Sequence, residues 1–365
     1  MLHWFDFAAR SRGMLAAALG GLVLIAAVPA TAQVATKAPP AVAGARPAVL
    51  ERITVHSPAI EGNLEGDTAD RPVIVVLPPS YGQDASRRYP VVYALHGFSI
   101  GVEQWIGEIH VPASIENAFA SGAQEMIVVL PDSKTMHNGS MYSGSQTTGD
   151  FETFISRDLV QHIDANYRTI PDRKSRGLVG HSMGGYGAAR IGIKHADVFG
   201  ALYLMSPCCF SARDPAGFDT ELEAKVAALK SPADSASLDF PVRGVLAMAA
   251  AFSPNPQKPP LYLDLPVKNG APDPAIMAKW QANSIFNFLD QYIPNMRSYA
   301  AIAMDVGDRD GLKTDTQGFH EALERYGIQS TFELYEGDHT SEVAIRMQEH
   351  VIPFFARHLA GPAGR

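Results

Sequence analysis

The stretch Gly177 to Arg190 reads G-L-V-G-H-S-M-G-G-Y-G-A-A-R and sets an apolar run directly against a helical pattern, with one serine at the junction. Arg176 to Val179 predicts a strand, and a helix is expected from about Gly185, so the chain must reverse within a very short turn. Gly180 stands two residues before Ser182 and Gly184 two after it. A serine at such a turn takes up a strained backbone, and its neighbours on either side must be small to avoid a clash. The turn lifts the hydroxyl to the C-terminal edge of a sheet, which is where open α/β sheets bind ligands. Ser182 is therefore the candidate nucleophile.

The rest of the chain supplies the sheet that this junction requires. V-L-E-R-I-T-V-H from Val49 alternates apolar and polar residues, E-G-N-L-E-G-D makes a turn, and R-P-V-I-V-V-L-P returns, which predicts an antiparallel pair. P-V-V-Y-A-L-H-G then reads as a short continuous apolar strand ending at His96-Gly97. Runs of the same kind recur at Glu125 to Asp132, Ala201 to Pro207, Tyr299 to Gly307 and Ser330 to Gly337, each stopped by Gly, Pro or Asp. Continuous apolar strands are those buried on both faces. Helical patterns lie between them, at Asp150 to Tyr167 and Thr316 to Tyr326. The expected class is α/β, a mostly parallel central sheet with helices on both faces. Residues 210–296 break the alternation with Pro-rich stretches and are expected to form a cap-like insertion over one end of the sheet.

The N-terminus has a separate character. Arg10 and Arg12 precede the apolar run Met14 to Val28, and Ala30 and Ala32 supply small residues of the kind a signal peptidase requires. Residues 1–32 are thus expected to be a cleaved secretory signal, leaving no stable membrane span and placing the mature protein outside the cytoplasm, secreted or periplasmic. Residues 33–48, rich in Ala and Pro, are expected to be a flexible leader to a domain spanning 49–361. Across the 365 residues the net charge is −8, and no Lys/Arg cluster stands out, which argues against nucleic acid as a partner. The two cysteines, Cys208 and Cys209, are adjacent and are read as reduced thiols, since neighbouring cysteines close only a strained ring. Their spacing suits no metal, and neither a metal nor an organic cofactor is implied.

A serine hydroxyl is a weak nucleophile unless a base, itself oriented by an acid, takes its proton. In strand–turn–helix sites of this kind the chain order is serine, acid, histidine. His320, His350 and His358 fall in helical patterns, whereas His339 lies in a loop, G-D-H-T, just after a predicted strand. His339 is therefore the candidate base. M-D-V-G-D-R-D-G-L offers Asp305 at a strand end, with Asp308 and Asp310 in the loop that follows, and spacing leaves Asp308 and Asp310 as alternatives. Two backbone N–H groups are needed for the charge that develops on a carbonyl oxygen. Met183, after the serine, and Phe98, in the loop H-G-F-S, occupy the expected places. Trp105, further along that loop, is a tentative wall for the substrate.

Taken together, R-Y-P-V-V-Y-A-L-H-G-F, G-H-S-M-G-G-Y-G-A, the strand ending in M-S-P, the G-x-x-D of Gly307 to Asp310, and Y-E-G-D-H resemble the esterase D-like branch of the α/β-hydrolases. That branch includes S-formylglutathione hydrolases, feruloyl and acetylxylan esterases, siderophore esterases and mycolyltransferases. The resemblance runs from about Val49 to Leu359. It implies an α/β-hydrolase fold, Ser182 as nucleophile, His339 as base, Phe98 and Met183 as the oxyanion donors, and Asp310, the last residue of G-x-x-D, as acid. The expected activity is cleavage of carboxylic esters of small molecules, carbohydrates or lipids through an acyl-enzyme. The alternatives are acyl transfer to a sugar or alcohol, as in mycolyltransferases, and a non-catalytic binding protein on the same scaffold. Cys208-Cys209 and the Pro-rich insertion depart from the pattern, and substrate choice is expected to reside there.

Overall fold

The computed structural model describes residues 35–211 and 219–361; the expected signal segment lies outside them. Eight strands form the central sheet: Val49–His56 (β1), Asp70–Leu77 (β2), Val91–Leu95 (β3), Ile127–Pro131 (β4), Arg176–His181 (β5), Ala201–Met205 (β6), Ala301–Gly307 (β7) and Thr331–Tyr335 (β8). Their spatial order is β1-β2-β4-β3-β5-β6-β7-β8. β1 and β2 pair antiparallel with Val49 opposite Leu77 and His56 opposite Asp70, as the alternation anticipates. β2 also meets β4 antiparallel, and every later pairing is parallel.

The period of two along each strand divides its side chains between two apolar layers. Val91, Tyr93 and Leu95 of β3 face one layer with Ile127 and Val129 of β4, while Val92, Ala94, Val128 and Leu130 face the other. Helices Val111–Ala120 (α1) and Ile352–His358 (α2) cover the second layer through Ile115, Ala118, Ile352 and Phe355. The helix Met183–Lys194 (α3) covers the first through Tyr186, Ala189 and Ile193. The chain between Asp150 and Tyr167 is helical as expected but contains a wider π turn at Phe154–Asp158.

Between β6 and β7 the described part of the insertion holds helices Thr220–Ala227 (α4), Phe240–Phe252 (α5) and Pro274–Ala282 (α6). The C-terminal half of α5, Ala247 to Phe252, is buried in the same apolar layer as α3. Tyr186 of α3 donates to the Asn283 carbonyl at 2.7 Å, which ties the insertion to the helix that follows the serine.

Residues 35–48 differ from the flexible leader expected of them. Lys37 N–H donates to the Ser341 carbonyl at 2.8 Å, Val42 N–H to Asn117 at 3.1 Å, and Ala48 N–H to Glu116 at 2.8 Å. Proline removes backbone donors and stiffens the segment, so little entropy opposes its lying along the surface.

One buried charge pair joins the sheet to its covering helix. Asp305 on β7 is fully buried and accepts from Arg346 Nε at 2.8 Å and from the Tyr203 hydroxyl at 2.7 Å. Burial pushes its carboxyl up, and Arg346 opposes that shift. Arg346→Leu is expected to strand the Asp305 charge and to cost about 3–5 kcal/mol of stability, read from the urea midpoint. Arg346→Leu combined with Asp305→Leu should recover most of that loss.

Candidate active site

Ser182 lies at the end of β5 and caps α3, with φ 59° and ψ −116°. A non-glycine residue held there carries roughly 1–3 kcal/mol of strain, which the surroundings must offset. The Ser182 N–H donates to the Met205 carbonyl at 3.0 Å, and its own carbonyl accepts from Tyr186 and Cys208 at 3.0 and 3.1 Å. A Cβ on Gly180 would overlap the Gly184 carbonyl, and one on Gly184 would overlap the Leu95 carbonyl. The two glycines of the sequence pattern are thus demanded by backbone packed on backbone. Ser99, Asn138, Ser206 and Cys209, in the loops after β3, β4 and β6, also have positive φ.

His339 reaches Ser182 from the loop after β8. Its Nε2 lies 2.9 Å from Ser182 Oγ, and its Nδ1 lies 2.8 Å from Asp310 Oδ2. Asp310 is buried, and its other oxygen accepts from the Leu312 N–H at 2.9 Å. Burial alone would raise the Asp310 carboxyl, but the hydrogen bond and charge of His339 hold it below the usual carboxylate range. Between the two acids left open by spacing, the structure brings Asp310 to the histidine. Asp308 points elsewhere: it is solvent-facing, accepts from the Gly337 N–H at 2.9 Å, and so braces the turn that carries His339.

His181, beside the serine, packs directly against His339. It is buried, its Nε2 donates to the His339 carbonyl at 2.8 Å, and the two rings lie 4.8 Å apart. Burial, with the neighbouring His339 ring adding to it, lowers its pKa to about 3, so it is a neutral strut. A strand-end histidine that bonds to the backbone of another histidine has no local signature; the pairing spans 158 residues.

The loop after β3 passes in front of the serine. A Cβ on Gly97 would sit 3.4 Å from the Ser182 Cβ and 3.5 Å from His181 Nδ1, at contact distance from both. His96 is buried and neutral; its Nε2 accepts from the Ser133 N–H at 2.8 Å, which leaves Nδ1–H to donate to the Gly97 carbonyl at 2.8 Å. In a trans peptide the C=O and the next N–H point in opposite directions, so fixing the Gly97 carbonyl also fixes the Phe98 N–H. The Met183 N–H is at the first position of α3, among the donors a helix leaves without an internal partner.

Trp105 departs from its expected place. It is 1 % exposed, in the apolar layer that also holds Ile74, Val102 and Ile109. The short helix Val102–Gly107 turns Val102 and Trp105 together towards the sheet, because residues three apart share a face. The tryptophan packs the core rather than a substrate. Cys208 and Cys209 form no disulfide. Among the described residues there is no cluster of three or more His, Cys, Asp or Glu side chains suited to a metal.

A family model described as "Putative esterase" matches residues 68–343. The chain belongs to this esterase family. Its similarity extends to an endo-1,4-β-xylanase/feruloyl esterase of Xylanibacter ruminicola, 30% identical over 136 residues, 36% of this chain and 19% of that protein. An esterase of Mycobacterium tuberculosis is 33% identical over 127 residues, 34% of this chain and 26% of its own length. The chain therefore spans about a quarter or less of these two relatives. Among solved structures, a ferulic acid esterase superposes with a TM-score of 0.60 at 25% identity, over 86% of this chain and 100% of that one. The esterase architecture is the α/β-hydrolase fold that the sequence motifs resemble.

The lowered His181 pKa has a definite effect on stability. Unfolded, this histidine titrates near 6.5; folded, it stays neutral until about pH 3. Below pH 6.5 the unfolded chain binds the extra proton, so stability should fall as pH drops from 6.5 towards 3. Urea midpoints measured between pH 7 and 4.5 should decline, and less steeply in His181→Gln, which retains a donor but does not titrate.

Proposed function

We propose that this protein is a serine hydrolase of carboxylic esters, with Ser182 as nucleophile, His339 as general base and acid, and Asp310 as the carboxylate that orients the imidazole. One observation carries the reading: the unbroken path from Ser182 Oγ to His339 Nε2 at 2.9 Å and from His339 Nδ1 to Asp310 Oδ2 at 2.8 Å. Membership of an esterase family supports it, as does similarity to proteins named as feruloyl esterases.

The steps follow from these atoms. Ser182 Oγ bonds to the ester carbonyl carbon as its proton passes to His339 Nε2, and the carbonyl oxygen takes up the electron pair of the π bond. The Phe98 and Met183 N–H groups receive that oxyanion, a contribution of about 10²–10³ in rate for each donor. The tetrahedral adduct collapses, the C–O bond to the alcohol breaks, and His339 returns its proton to the departing oxygen. Water then attacks the acyl-serine, giving its proton to His339; the C–Oγ bond breaks, His339 returns that proton to Ser182 Oγ, and the acid is released. Asp310 holds Nδ1–H throughout, so that Nε2 carries the lone pair facing the serine. His181 and Asp308 hold the loop on which this alignment depends. From the signal-like segment at 1–32 we assign the enzyme to the periplasm or the cell exterior.

Wild-type protein treated with a fluorophosphonate should be labelled at Ser182, as read by peptide mass spectrometry, and Ser182→Ala should lose both labelling and turnover of 4-nitrophenyl acetate. Asp310→Asn should lower kcat by about 10⁴. Asp308→Asn, whose residue braces the loop from outside, should stay within about tenfold of wild type. Equal losses in the two variants would reject Asp310 as the orienting acid.

A further inference from the structure

Phe240 opens α5 on the insertion and is 62% exposed, an unusual position for a large apolar side chain. Its ring meets Phe98 edge to face, with centroids 5.1 Å apart. Phe98 is half-buried and directly follows Gly97, on which a Cβ would lie 3.4 Å from the Ser182 Cβ. The solvent-facing Phe240 ring thus packs on the residue next to the glycine that approaches Ser182. Met136, 37% exposed, adjoins the same helix, because Arg243, three residues after Phe240, donates Nη2 to the Met136 carbonyl at 3.1 Å. Of the five large apolar side chains left in water among the described residues, two thus belong to this one neighbourhood at the start of α5.

From this placement we propose that Phe240, lying against Phe98, is a specificity-determining platform that binds an apolar, aromatic group of the ester remote from the reacting carbonyl. The inference rests on the esterase reading of Ser182 and adds to it the residue that ranks substrates. An aromatic face offered to solvent beside a second ring is suited to an edge-to-face or offset partner supplied by the substrate. The ring could arrive on the acyl side or the alcohol side of the ester, and the shared chemistry is the same.

The test compares kcat/KM for methyl acetate, methyl 3-phenylpropanoate and 2-phenylethyl acetate in wild type, Phe240→Ala and Phe240→Tyr. Phe240→Ala is expected to lower kcat/KM by about tenfold for the favoured ring-bearing ester, mainly through KM, with methyl acetate changed less than about twofold and Phe240→Tyr close to wild type. Loss with the phenylpropanoate places the ring on the acyl side, and loss with the phenylethyl ester places it on the alcohol side. An equal drop for all three esters, or none, would overturn the platform. Calorimetric titration of Ser182→Ala, with and without Phe240→Ala, using the two ring-bearing esters separates the two readings. Phe240-dependent binding with no wild-type turnover of any ester would uphold the platform and reject the hydrolase. Turnover without discrimination would do the reverse.

Discussion

The backbone contact between Gly180, Gly184 and the end of β3 is the constraint on which the site depends. β5 and α3 can meet at Ser182 only because the Gly184 backbone fits between the Gly180 Cα and the Leu95 carbonyl with no Cβ in the way. That closeness holds the serine at φ 59°, projects its hydroxyl from the sheet edge, and sets the Met183 N–H at the start of a helix. The strain is offset by hydrogen bonds at both ends of the residue, to Met205, Tyr186 and Cys208. A single methyl at either glycine would move Ser182, the helix dipole and the Met183 N–H together.

Alignment of His339 is a second-order consequence of the same sheet edge. The histidine sits on a loop, and loops are mobile unless something holds them. Here Asp308 holds the turn from one side, His181 holds the His339 carbonyl from beneath, and residues 36 and 37 hydrogen-bond to the Ser341 carbonyl from outside. These braces come from β5, the β7–β8 side and the chain before β1. Positioning to within a few tenths of an ångström therefore requires most of the domain to be folded.

The insertion is linked to the loop after β4 by a buried polar contact. His137 Nδ1 lies 2.9 Å from the Ser235 hydroxyl, and the His137 N–H donates to Glu65 at 2.8 Å. Burial raises Glu65 to about 8 and lowers His137 to about 4, so near neutral pH both are uncharged, a common resolution when two such groups are removed from water. Through Met136 and Arg243 the same segment sits beside Phe240. The parts that carry the proposed chemistry and the part proposed to choose the substrate thus share one support.

Local pattern alone was enough for the strands, because continuous apolar runs ended by Gly, Pro or Asp can be buried only in a covered sheet. It also singled out Ser182 and His339, a glycine-flanked serine between strand and helix and a histidine in a post-strand loop, which the fold brings to 2.9 Å of each other. Asp308 and Asp310 differ by two residues in one loop, and which of them faces His339 depended on how that loop folds against Gly337. Trp105 looked like a pocket wall while its helix was unrecognised; helical periodicity turned it into the core. His181, His96 and Phe240 acquired their places from partners far away in the chain: the His339 carbonyl, the Ser133 N–H and the Phe98 ring. Short-range sterics and burial are written in neighbouring residues, whereas hydrogen bonds and ring contacts between distant segments exist only once the chain has closed on itself.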